Sequence, residues 1–297
     1  MSRLSTPSPQ QPDFSGLWIP LITPFRDHAV DYPALDALVR HLAPTGIVGF
    51  VVCGSTGEAA ALEEAEQLAV LATVADAAPD VPRIMGISGS HLEKTLAWVR
   101  RLTAEPLAGL LVPAPSYIRP TQEGLLLWFR AIAEASSLPI LIYDIPYRTG
   151  ATMSTETLLA LAAHPKIRAV KDCGGDPSKT HALIVDRRLQ VLAGEDAQIF
   201  ATLAEGGAGA IAASAHLHTA HFVRLLHLLT EGRFADAREI WRSLRPLIAL
   251  CFAEPNPAPV KAMLARGGAL HDELRAPMTP ASVALRERLR VAVELLD

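Results

Sequence analysis

Eight short apolar segments recur along this sequence, and each is followed by a stretch in which apolar residues have helical spacing. Several segments lack polar alternation, which is typical of parallel strands covered on both faces. A strand–helix unit repeated eight times favours an α/β fold of the (β/α)8, or TIM, barrel class. The predicted strands are 17–22, 48–53, 83–87, 109–112, 140–143, 168–171, 190–193 and 209–213. The predicted helices are 32–42, 63–77, 91–103, 121–135, 155–163, 178–185, 197–205 and 219–229.

The chain has 297 residues, somewhat more than the about 250 that such a barrel typically takes. The part after the eighth unit is predicted to form three further helices, 234–252, 259–266 and 279–296. We therefore predict a disordered tail over 1–13, a barrel over 14–230 and a C-terminal helical extension over 231–297. An open doubly wound sheet is the alternative. It would be expected to carry a GxGxxG turn after its first strand, and residues 20–24 contain none.

Composition argues against several classes of function. The net charge is −4 and no basic stripe is present, so nucleic acid is not expected as a partner. No uncharged apolar run reaches the about 18 residues of a membrane span. The start of the chain is rich in Ser, Pro and Gln and lacks the apolar core of a signal peptide. Cys53, Cys173 and Cys251 form no CxxC motif. Together these features predict a cytoplasmic protein with reduced thiols and no membrane partner.

Lys171 is the residue with the most informative position. It follows an apolar strand and precedes a Cys-Gly-Gly turn, which would place it in the mouth of the barrel. Burial there would lower the pKa of its amine and allow attack on a keto group. The alternative is a strand-end lysine paired with a carboxylate such as Asp172. The other four lysines are interpreted as solvated residues of helices or loops: Lys94, Lys166, Lys179 and Lys261.

Other polar side chains also follow predicted strands. Ser55 and Thr56 lie in a Gly-Ser-Thr-Gly-Glu turn whose backbone N–H groups could hold a carboxylate. Tyr117 and Tyr143 could pass protons, because a phenol both donates and accepts hydrogen bonds. Arg148 could bind a carboxylate through its planar guanidinium. Taken singly, these residues also fit a helix cap, a packed aromatic pair and a surface arginine.

Taken together, the side chains make up an amine nucleophile, a proton relay and two groups that bind carboxylates, which suits a 2-oxo acid substrate. From about residue 16 to the C-terminus, the sequence resembles the dihydrodipicolinate synthase / N-acetylneuraminate lyase family of pyruvate-dependent class I aldolases. The motifs that carry the resemblance are Gly-Ser-Thr-Gly-Glu at 54–58, Tyr117 with Arg-Pro at 119–120, Tyr-Asp-Ile-Pro-Tyr-Arg-Thr-Gly at 143–150, Val-Lys-Asp at 170–172, Ala-Gly-Glu-Asp at 193–196 and Glu-Pro-Asn-Pro-Ala-Pro-Val-Lys at 254–261.

The resemblance implies catalytic roles for four residues. Lys171 would form a Schiff base with pyruvate, so that no separate cofactor is expected. Tyr143 would move protons to and from this adduct, and Ser55 would continue the relay. Tyr117 would complete the relay from a neighbouring subunit, since the resemblance also implies a homotetramer built as a dimer of dimers.

The resemblance further implies which positions bind the substrates, pyruvate and an aldehyde. Thr56 and the following backbone at Gly57 would hold the carboxylate of pyruvate. Arg148 would bind the carboxylate of the second substrate. Gly194 and Ile211 would line the pocket through backbone groups.

Two departures bear on which reaction follows. Ser55 stands where the synthases usually carry threonine, and a Ser-Thr pair is common in the sugar-acid lyases of the family. The Cys-Gly-Gly turn after Lys171 also differs from the usual synthase sequence. Arg148 favours a synthase, because the neuraminate lyases lack it. We therefore expect condensation of pyruvate with aspartate semialdehyde, as in lysine and diaminopimelate biosynthesis. The alternative is a pyruvate-releasing aldolase or lyase, or a dehydratase, acting on a sugar acid or another 2-oxo acid.

Two other classes of function can be weighed against this one. A metal-dependent aldolase could use His216, His218 and His221, since imidazole suits zinc. Their spacing is not that of a helical zinc site and no HExxH motif occurs, so no metal site is predicted. A non-catalytic barrel that only binds 2-oxo acids would form a pyruvate adduct without turnover.

Overall fold

The computed structural model describes residues 13–296, and its centre is a closed barrel of eight parallel strands. With a separate two-stranded sheet, the described residues form ten strands: β1 (Gly16–Pro20), β2 (Phe25–Arg26), β3 (Ala29–Val30), β4 (Gly49–Val52), β5 (Arg83–Gly86), β6 (Gly109–Pro113), β7 (Ile140–Asp144), β8 (Ile167–Asp172), β9 (Gln190–Ala193) and β10 (Gly209–Ile211). Around the barrel the order is β1, β4, β5, β6, β7, β8, β9, β10, and β10 pairs with β1 to close it. The predicted (β/α)8 fold is confirmed, and all eight predicted strands are present.

Helices cover the outside of the barrel. They are α1 (Tyr32–Leu42), α2 (Glu64–Ala77), α3 (Leu92–Leu102), α4 (Gln122–Ala135), α5 (Pro146–Thr149), α6 (Thr155–Leu161), α7 (Pro177–Asp186), α8 (Ile199–Ala204), α9 (Thr219–Thr230), α10 (Phe234–Cys251), α11 (Ala258–Leu264) and α12 (Val283–Glu294). Several begin at a side chain that accepts a hydrogen bond from the first turn, as Asp31, Thr121 and Asp176 do for α1, α4 and α7. The predicted helices are confirmed to within a few residues at their ends.

Two local features were not predicted. The short antiparallel pair β2–β3 lies between β1 and α1, and its turn places Asp27 and His28 at positive φ values of 53° and 65°. Two-residue strands are too short for a hydrophobic pattern to reveal. The predicted helix 197–205 begins with a 3-10 turn, Asp196–Gln198, so its α-helical part starts only at Ile199.

The interior of the barrel is closed at the N-terminal ends of its strands. Phe14 and Trp18 pack there with ring centroids 6.0 Å apart, and Trp18 Nε1 donates a hydrogen bond to the Phe14 carbonyl at 2.8 Å. Apolar side chains from Val51, Ile84 and Leu141 fill the space above them. The barrel is therefore a packed core, and polar side chains collect at the opposite, C-terminal ends of the strands.

The C-terminal helices α10, α11 and α12 pack against one another and against the barrel helices. The segment between α10 and α11 reaches the barrel mouth, where Asn256 Nδ2 donates to Thr56 Oγ1 at 2.9 Å. The extension therefore contributes directly to the end of the barrel that carries the polar residues. The predicted tail lies outside the described residues except for Asp13, whose carboxylate accepts a hydrogen bond from Gln190 Nε2 at 2.7 Å.

Within residues 13–296 no helix is long and apolar enough to cross a membrane. The three cysteines are buried free thiols.

Candidate active site

Lys171 lies on β8 with its side chain inside the barrel mouth. Residues Tyr143 and Lys171 are direct neighbours in the register of β7 and β8. Lys171 is 5% exposed, and its Nζ lies 4.3 Å from the centroid of the Tyr143 ring. Burial lowers the pKa of this amine below its ordinary value of 10.5, and the nearby Arg148 charge adds to that effect. More of the amine is therefore neutral at a given pH than in an exposed lysine.

The alternative pairing of Lys171 with Asp172 is wrong. Asp172 follows Lys171 along the strand, so its side chain points to the opposite face, towards α7. There its carboxylate accepts hydrogen bonds from the Thr180 hydroxyl and from Gly174 N, the latter at 2.8 Å. Within residues 13–296 no hydrogen bond or ion pair joins Lys171 Nζ to a carboxylate.

Tyr143 presents its phenol to both Lys171 and the Ser55 loop. Its Oη lies 3.4 Å from Ser55 Oγ, and the side chain is 7% exposed. Burial raises the pKa of this phenol well above its ordinary value, while the Ser55 hydrogen bond and the Arg148 charge oppose the rise. Tyr143 is therefore held in its protonated form, from which it can donate a proton to a reacting oxygen or nitrogen.

The loop after β4 places two hydroxyl groups at the pocket. Ser55 and Thr56 both line it, and Thr56 is fixed by the hydrogen bond from Asn256. The N–H of Gly57 donates to the Gly54 carbonyl at 3.1 Å, so this group is used within the turn itself. A Cβ atom at Gly57 would lie 2.9 Å from the Leu21 carbonyl oxygen, which explains the need for glycine. The binding role predicted for Gly57 therefore has less geometric support than that of Thr56.

Glu58 precedes the 3-10 turn Ala59–Ala61, but its side chain makes no capping hydrogen bond there. Its carboxylate accepts hydrogen bonds from Lys261 Nζ at 2.5 Å and from Arg275 N at 3.3 Å. Glu63 instead is the N-cap of α2 and forms a capping box with Glu66. Glu58 thus ties the hydroxyl-bearing loop to the C-terminal extension.

Arg148 and Tyr147 lie on the short helix α5 at the rim of the pocket, and both line it. The Arg148 guanidinium lies 5.9 Å from the Tyr147 ring. Tyr117 N donates to the Thr149 carbonyl at 3.2 Å, which joins the loops that follow β6 and β7. The Tyr117 side chain does not line this pocket; it is 93% exposed and its φ is 75°.

Gly194 and Ile211 both line the pocket, as predicted positions for substrate contact. A Cβ atom at Gly194 would lie 2.8 Å from Lys171 Cγ and 2.4 Å from Cys173 Sγ. Glycine is therefore required for Lys171 to occupy its position. Gly194 N donates to the Asp172 carbonyl at 2.9 Å, which aligns β9 with β8.

Sequence reasoning missed four polar or aromatic residues that line the pocket: Tyr147, Asp196, Phe252 and Asn256. Asp196 is fully enclosed and accepts hydrogen bonds from Ser214 N at 2.7 Å and from the Ser214 hydroxyl. Burial raises its pKa to about 6, against the effect of the Ser214 hydrogen bonds and the Lys171 charge. All but Phe252 lie in quoted motifs, so those motifs were the available signal.

Two of the lysines interpreted as solvated are in fact buried, so that interpretation is wrong for Lys179 and Lys261. Lys179 is 4% exposed and pairs with Asp144, and Lys261 is 0% exposed and pairs with Glu58. Lys94 is exposed and Lys166 is half-buried, with its Nζ bonded to the Ser136 carbonyl.

Two of the three histidines considered for a metal site make other hydrogen bonds through their rings, and one of them is His218, whose Nε2 lies 3.0 Å from the Val293 carbonyl oxygen. His216 is 3% exposed, Ile22 N donates to its Nε2 at 3.3 Å, and its Nδ1 lies 2.8 Å from the Ala213 carbonyl oxygen. Burial lowers its pKa to about 4, so the ring is neutral. Among the residues that the structure describes, no group of three or more His, Cys, Asp or Glu side chains could hold a metal ion.

Comparison with known proteins identifies the family of this chain. The profile of the dihydrodipicolinate synthetase family matches residues 13–296. A 4-hydroxy-tetrahydrodipicolinate synthase 2 of Clostridium acetobutylicum is 38% identical, over 92% of this chain and 97% of its own length. A solved dihydrodipicolinate synthase has a TM-score of 0.92 at 33% identity, over 95% of this chain and 99% of its own. A chloride-inhibited synthase of Acinetobacter baumannii, solved with pyruvate, has a TM-score of 0.91 at 29% identity, over 95% and 98%.

The chain therefore belongs to the dihydrodipicolinate synthetase family, which confirms the resemblance noted in its motifs. It is a class I aldolase-type lyase of that family.

Proposed function

We propose that Lys171 forms a Schiff base with pyruvate. The observation that carries the proposal is a buried amine of lowered pKa beside the Tyr143 phenol, with no carboxylate partner within residues 13–296. The neutral Nζ attacks the keto carbon, the resulting carbinolamine loses water, and an imine remains. The phenolate that Tyr143 becomes on protonating the departing hydroxyl accepts a methyl proton, and the imine becomes an enamine. The enamine carbon forms a bond to the carbonyl carbon of an aldehyde, whose oxygen takes up a proton. Attack on the resulting imine by water or by an amine of the condensed aldehyde displaces Lys171 and returns its free amine.

Tyr143 is suited to the proton transfers of this sequence. Its phenol is protonated and lies between Lys171 and Ser55, so it can protonate the departing hydroxyl of the carbinolamine. Thr56, held by Asn256, is suited to bind the pyruvate carboxylate together with the backbone of its loop.

The second substrate is proposed to be aspartate semialdehyde, which makes the protein a 4-hydroxy-tetrahydrodipicolinate synthase. Arg148 supports this proposal because its guanidinium lies at the pocket rim, where it can pair with a carboxylate on the incoming aldehyde. The curated relatives of 38% and 37% identity carry that name. Ser55 and the Cys-Gly-Gly turn after Lys171 favour the second candidate, a pyruvate-releasing lyase for a sugar acid or another 2-oxo acid.

A panel of aldehydes offered with pyruvate tests the choice. We expect kcat/KM to be highest for aspartate semialdehyde. Arg148→Leu should raise the KM for aspartate semialdehyde by about 10- to 100-fold, because charge-assisted hydrogen bonds contribute about 1.5–3 kcal/mol. The KM for pyruvate should hardly change. Cleavage of a sugar acid, with no turnover of aspartate semialdehyde, would favour the lyase.

We also propose a cytoplasmic homotetramer in which Tyr117 completes the site of a neighbouring subunit. The support is the position of its side chain, which is 93% exposed at the tip of a loop anchored to the Arg148 loop. Sedimentation of the wild-type protein tests the assembly. Tyr117→Phe should lower kcat without changing the assembly, and a normal kcat would exclude Tyr117 from the relay.

A further inference from the structure

The two proposed catalytic residues are each followed by a buried carboxylate. Tyr143 precedes Asp144 at the end of β7, and Lys171 precedes Asp172 at the end of β8. The register pairs Tyr143 with Lys171 and Asp144 with Asp172. Because side chains alternate along a strand, the catalytic pair points into the barrel and the carboxylate pair points out towards α7.

Consecutive residues in the first turns of α7 bind these two carboxylates. Lys179 Nζ donates to Asp144 Oδ2 at 2.5 Å, and the Thr180 hydroxyl donates to Asp172 Oδ2. All four side chains are buried, with exposures of 0% to 6%. Asp176 caps α7 by accepting from Lys179 N and Ser178 N, so the position of this turn is itself fixed.

The turn after β8 packs closely over the ion pair. Gly174 N donates to Asp172 Oδ1 at 2.8 Å. A Cβ atom at Gly174 would lie 2.5 Å from Lys179 Nζ and 2.9 Å from Asp144 Oδ2, so a side chain at this position would displace the ion pair. The Gly174 position in the Cys-Gly-Gly sequence is thus explained by the ion pair beneath it.

We propose that Lys179 and Thr180 are positioning residues that fix the separation of Tyr143 and Lys171 by holding the strand ends behind them. The proposal rests on the proposed imine chemistry at Lys171. The first turn of α7 binds β7 through Asp144 and β8 through Asp172, the residues that follow Tyr143 and Lys171. A shift of α7 would therefore move the phenol and the amine relative to each other. A misplacement of 1 Å can cost about 10²-fold in rate.

The effect of this arrangement is geometric rather than electrostatic. The groups that act most strongly on the pKa of Lys171, besides burial, are Cys173, Asp196, Glu195 and Arg148. Asp144 and Lys179 balance each other's charge. Removing the contacts of Lys179 with Asp144 or of Thr180 with Asp172 is therefore expected to slow the reaction of Lys171 without changing the pH at which it becomes reactive.

Variants of Thr180 provide the sharpest test. Thr180→Val removes the hydroxyl at nearly constant volume, and Thr180→Ser keeps it. A second test, Asp144→Asn combined with Lys179→Met, removes both charges together, because Lys179→Met alone would leave a buried carboxylate unpaired. The matched control is Thr157→Val on α6, a threonine 4% exposed whose hydroxyl donates to Gln122 Oε1 at 2.7 Å, away from both strands.

The measurements are the rate of imine formation with saturating pyruvate, trapped by borohydride at several pH values, and the thermal unfolding midpoint. Thr180→Val and the double variant should slow imine formation about tenfold or more, with an unchanged pH midpoint. Thr180→Ser should react at the wild-type rate. Thr157→Val should lose stability and keep the wild-type rate.

Several outcomes would overturn the proposal. Wild-type rates in both Thr180→Val and the double variant would show that the contacts of α7 with Asp144 and Asp172 stabilise the fold but do not position the catalytic pair. Slowing in Thr157→Val by the same factor would reveal a general effect of stability, and a shifted pH midpoint would reveal an electrostatic one. If the double variant does not fold, Thr180→Val decides. If the wild-type enzyme itself forms no adduct, the proposed function fails, and this proposal with it.

Discussion

Lys171 and Lys261 are both buried lysines, and comparing their surroundings shows what separates a reactive amine from a structural one. Each Nζ lies 4.3 Å from the centroid of an aromatic ring, Tyr143 for Lys171 and Phe25 for Lys261. Lys261 also donates to the Glu58 carboxylate at 2.5 Å and to the Glu273 carbonyl at 2.8 Å. Lys171 has no such carboxylate partner within residues 13–296.

These surroundings decide whether the protein stabilises the charged ammonium or the neutral amine of each lysine. Burial lowers the pKa of both lysines, but at Lys261 the charge and hydrogen bond of Glu58 oppose it directly. Lys261 is therefore held as an ammonium in an ion pair, which ties α11 to the loop of Ser55 and Thr56. Lys171 is left with a desolvated amine that is free to act as a nucleophile.

The largest effect expected from this comparison is on turnover. Lys171→Met should abolish the pyruvate adduct and lower kcat by more than about 10⁴-fold, since among the described residues no other lysine lines the pocket. The unfolding midpoint should not fall, because methionine replaces an amine that is buried without a carboxylate partner. Residual activity above this level would mean that another lysine can form the imine. It would then be wrong to distinguish Lys171 from Lys261 as the reactive amine.

Tyr143→Phe should produce the next largest effect. The ring beneath Lys171 remains, while the phenol that transfers protons is lost, and kcat should fall by about 10²- to 10⁴-fold. Binding of pyruvate should be weakened far less. Steady-state kinetics with pyruvate varied measure both quantities, and a near-normal kcat would show that Tyr143 only packs against the lysine.

Lys261→Met should act on stability. It leaves the Glu58 carboxylate buried without its cation, which should lower the free energy of unfolding by about 3–5 kcal/mol. Combining it with Glu58→Gln should recover part of this loss. Denaturant unfolding of both variants measures the difference. If Lys261→Met costs no more than the double variant, the ion pair is not what holds the loop.

Asp196→Asn should have the smallest effect, a shift in the pH profile. The Asp196 carboxylate raises the pKa of Lys171, so its removal should move half-maximal imine formation to lower pH, by up to about one unit. The difference should vanish below pH 6, where Asp196 is itself protonated, since burial raises its pKa to about 6. The raised pKa of Asp196 also makes the stability of the fold depend on pH. The stability that protonated Asp196 contributes is complete below its ordinary pKa of 3.8 and is lost as pH rises through about 6. A shift towards higher pH would contradict this assignment.

The fold was predictable because its signal is local. A buried parallel strand such as β7 is apolar at successive positions, and helix α1 buries residues three and four apart, both of which can be seen in a short window. The position of Lys171 followed from the same pattern, since it ends a strand whose neighbours are apolar.

The rest of the site depends on contacts between distant parts of the chain. Lys261 was interpreted as solvated because its partner Glu58 lies 203 residues away, and Asn256 meets Thr56 across 200 residues. Lys179 is buried by an aspartate 35 residues earlier. Pairings of this kind are set by the way the barrel brings its strand ends together, and hydrophobic patterns in the sequence do not encode them.

Trapping of the pyruvate adduct tests the central claim most directly. The enzyme is incubated with pyruvate and borohydride and then digested, and the masses of its peptides are measured by mass spectrometry. We expect one pyruvate-derived mass, on the peptide that carries Lys171, and unmodified peptides for Lys179 and Lys261. A label on either of those lysines, or an enzyme that turns over pyruvate without any label, would contradict the claim that the unpaired amine is the reactive one.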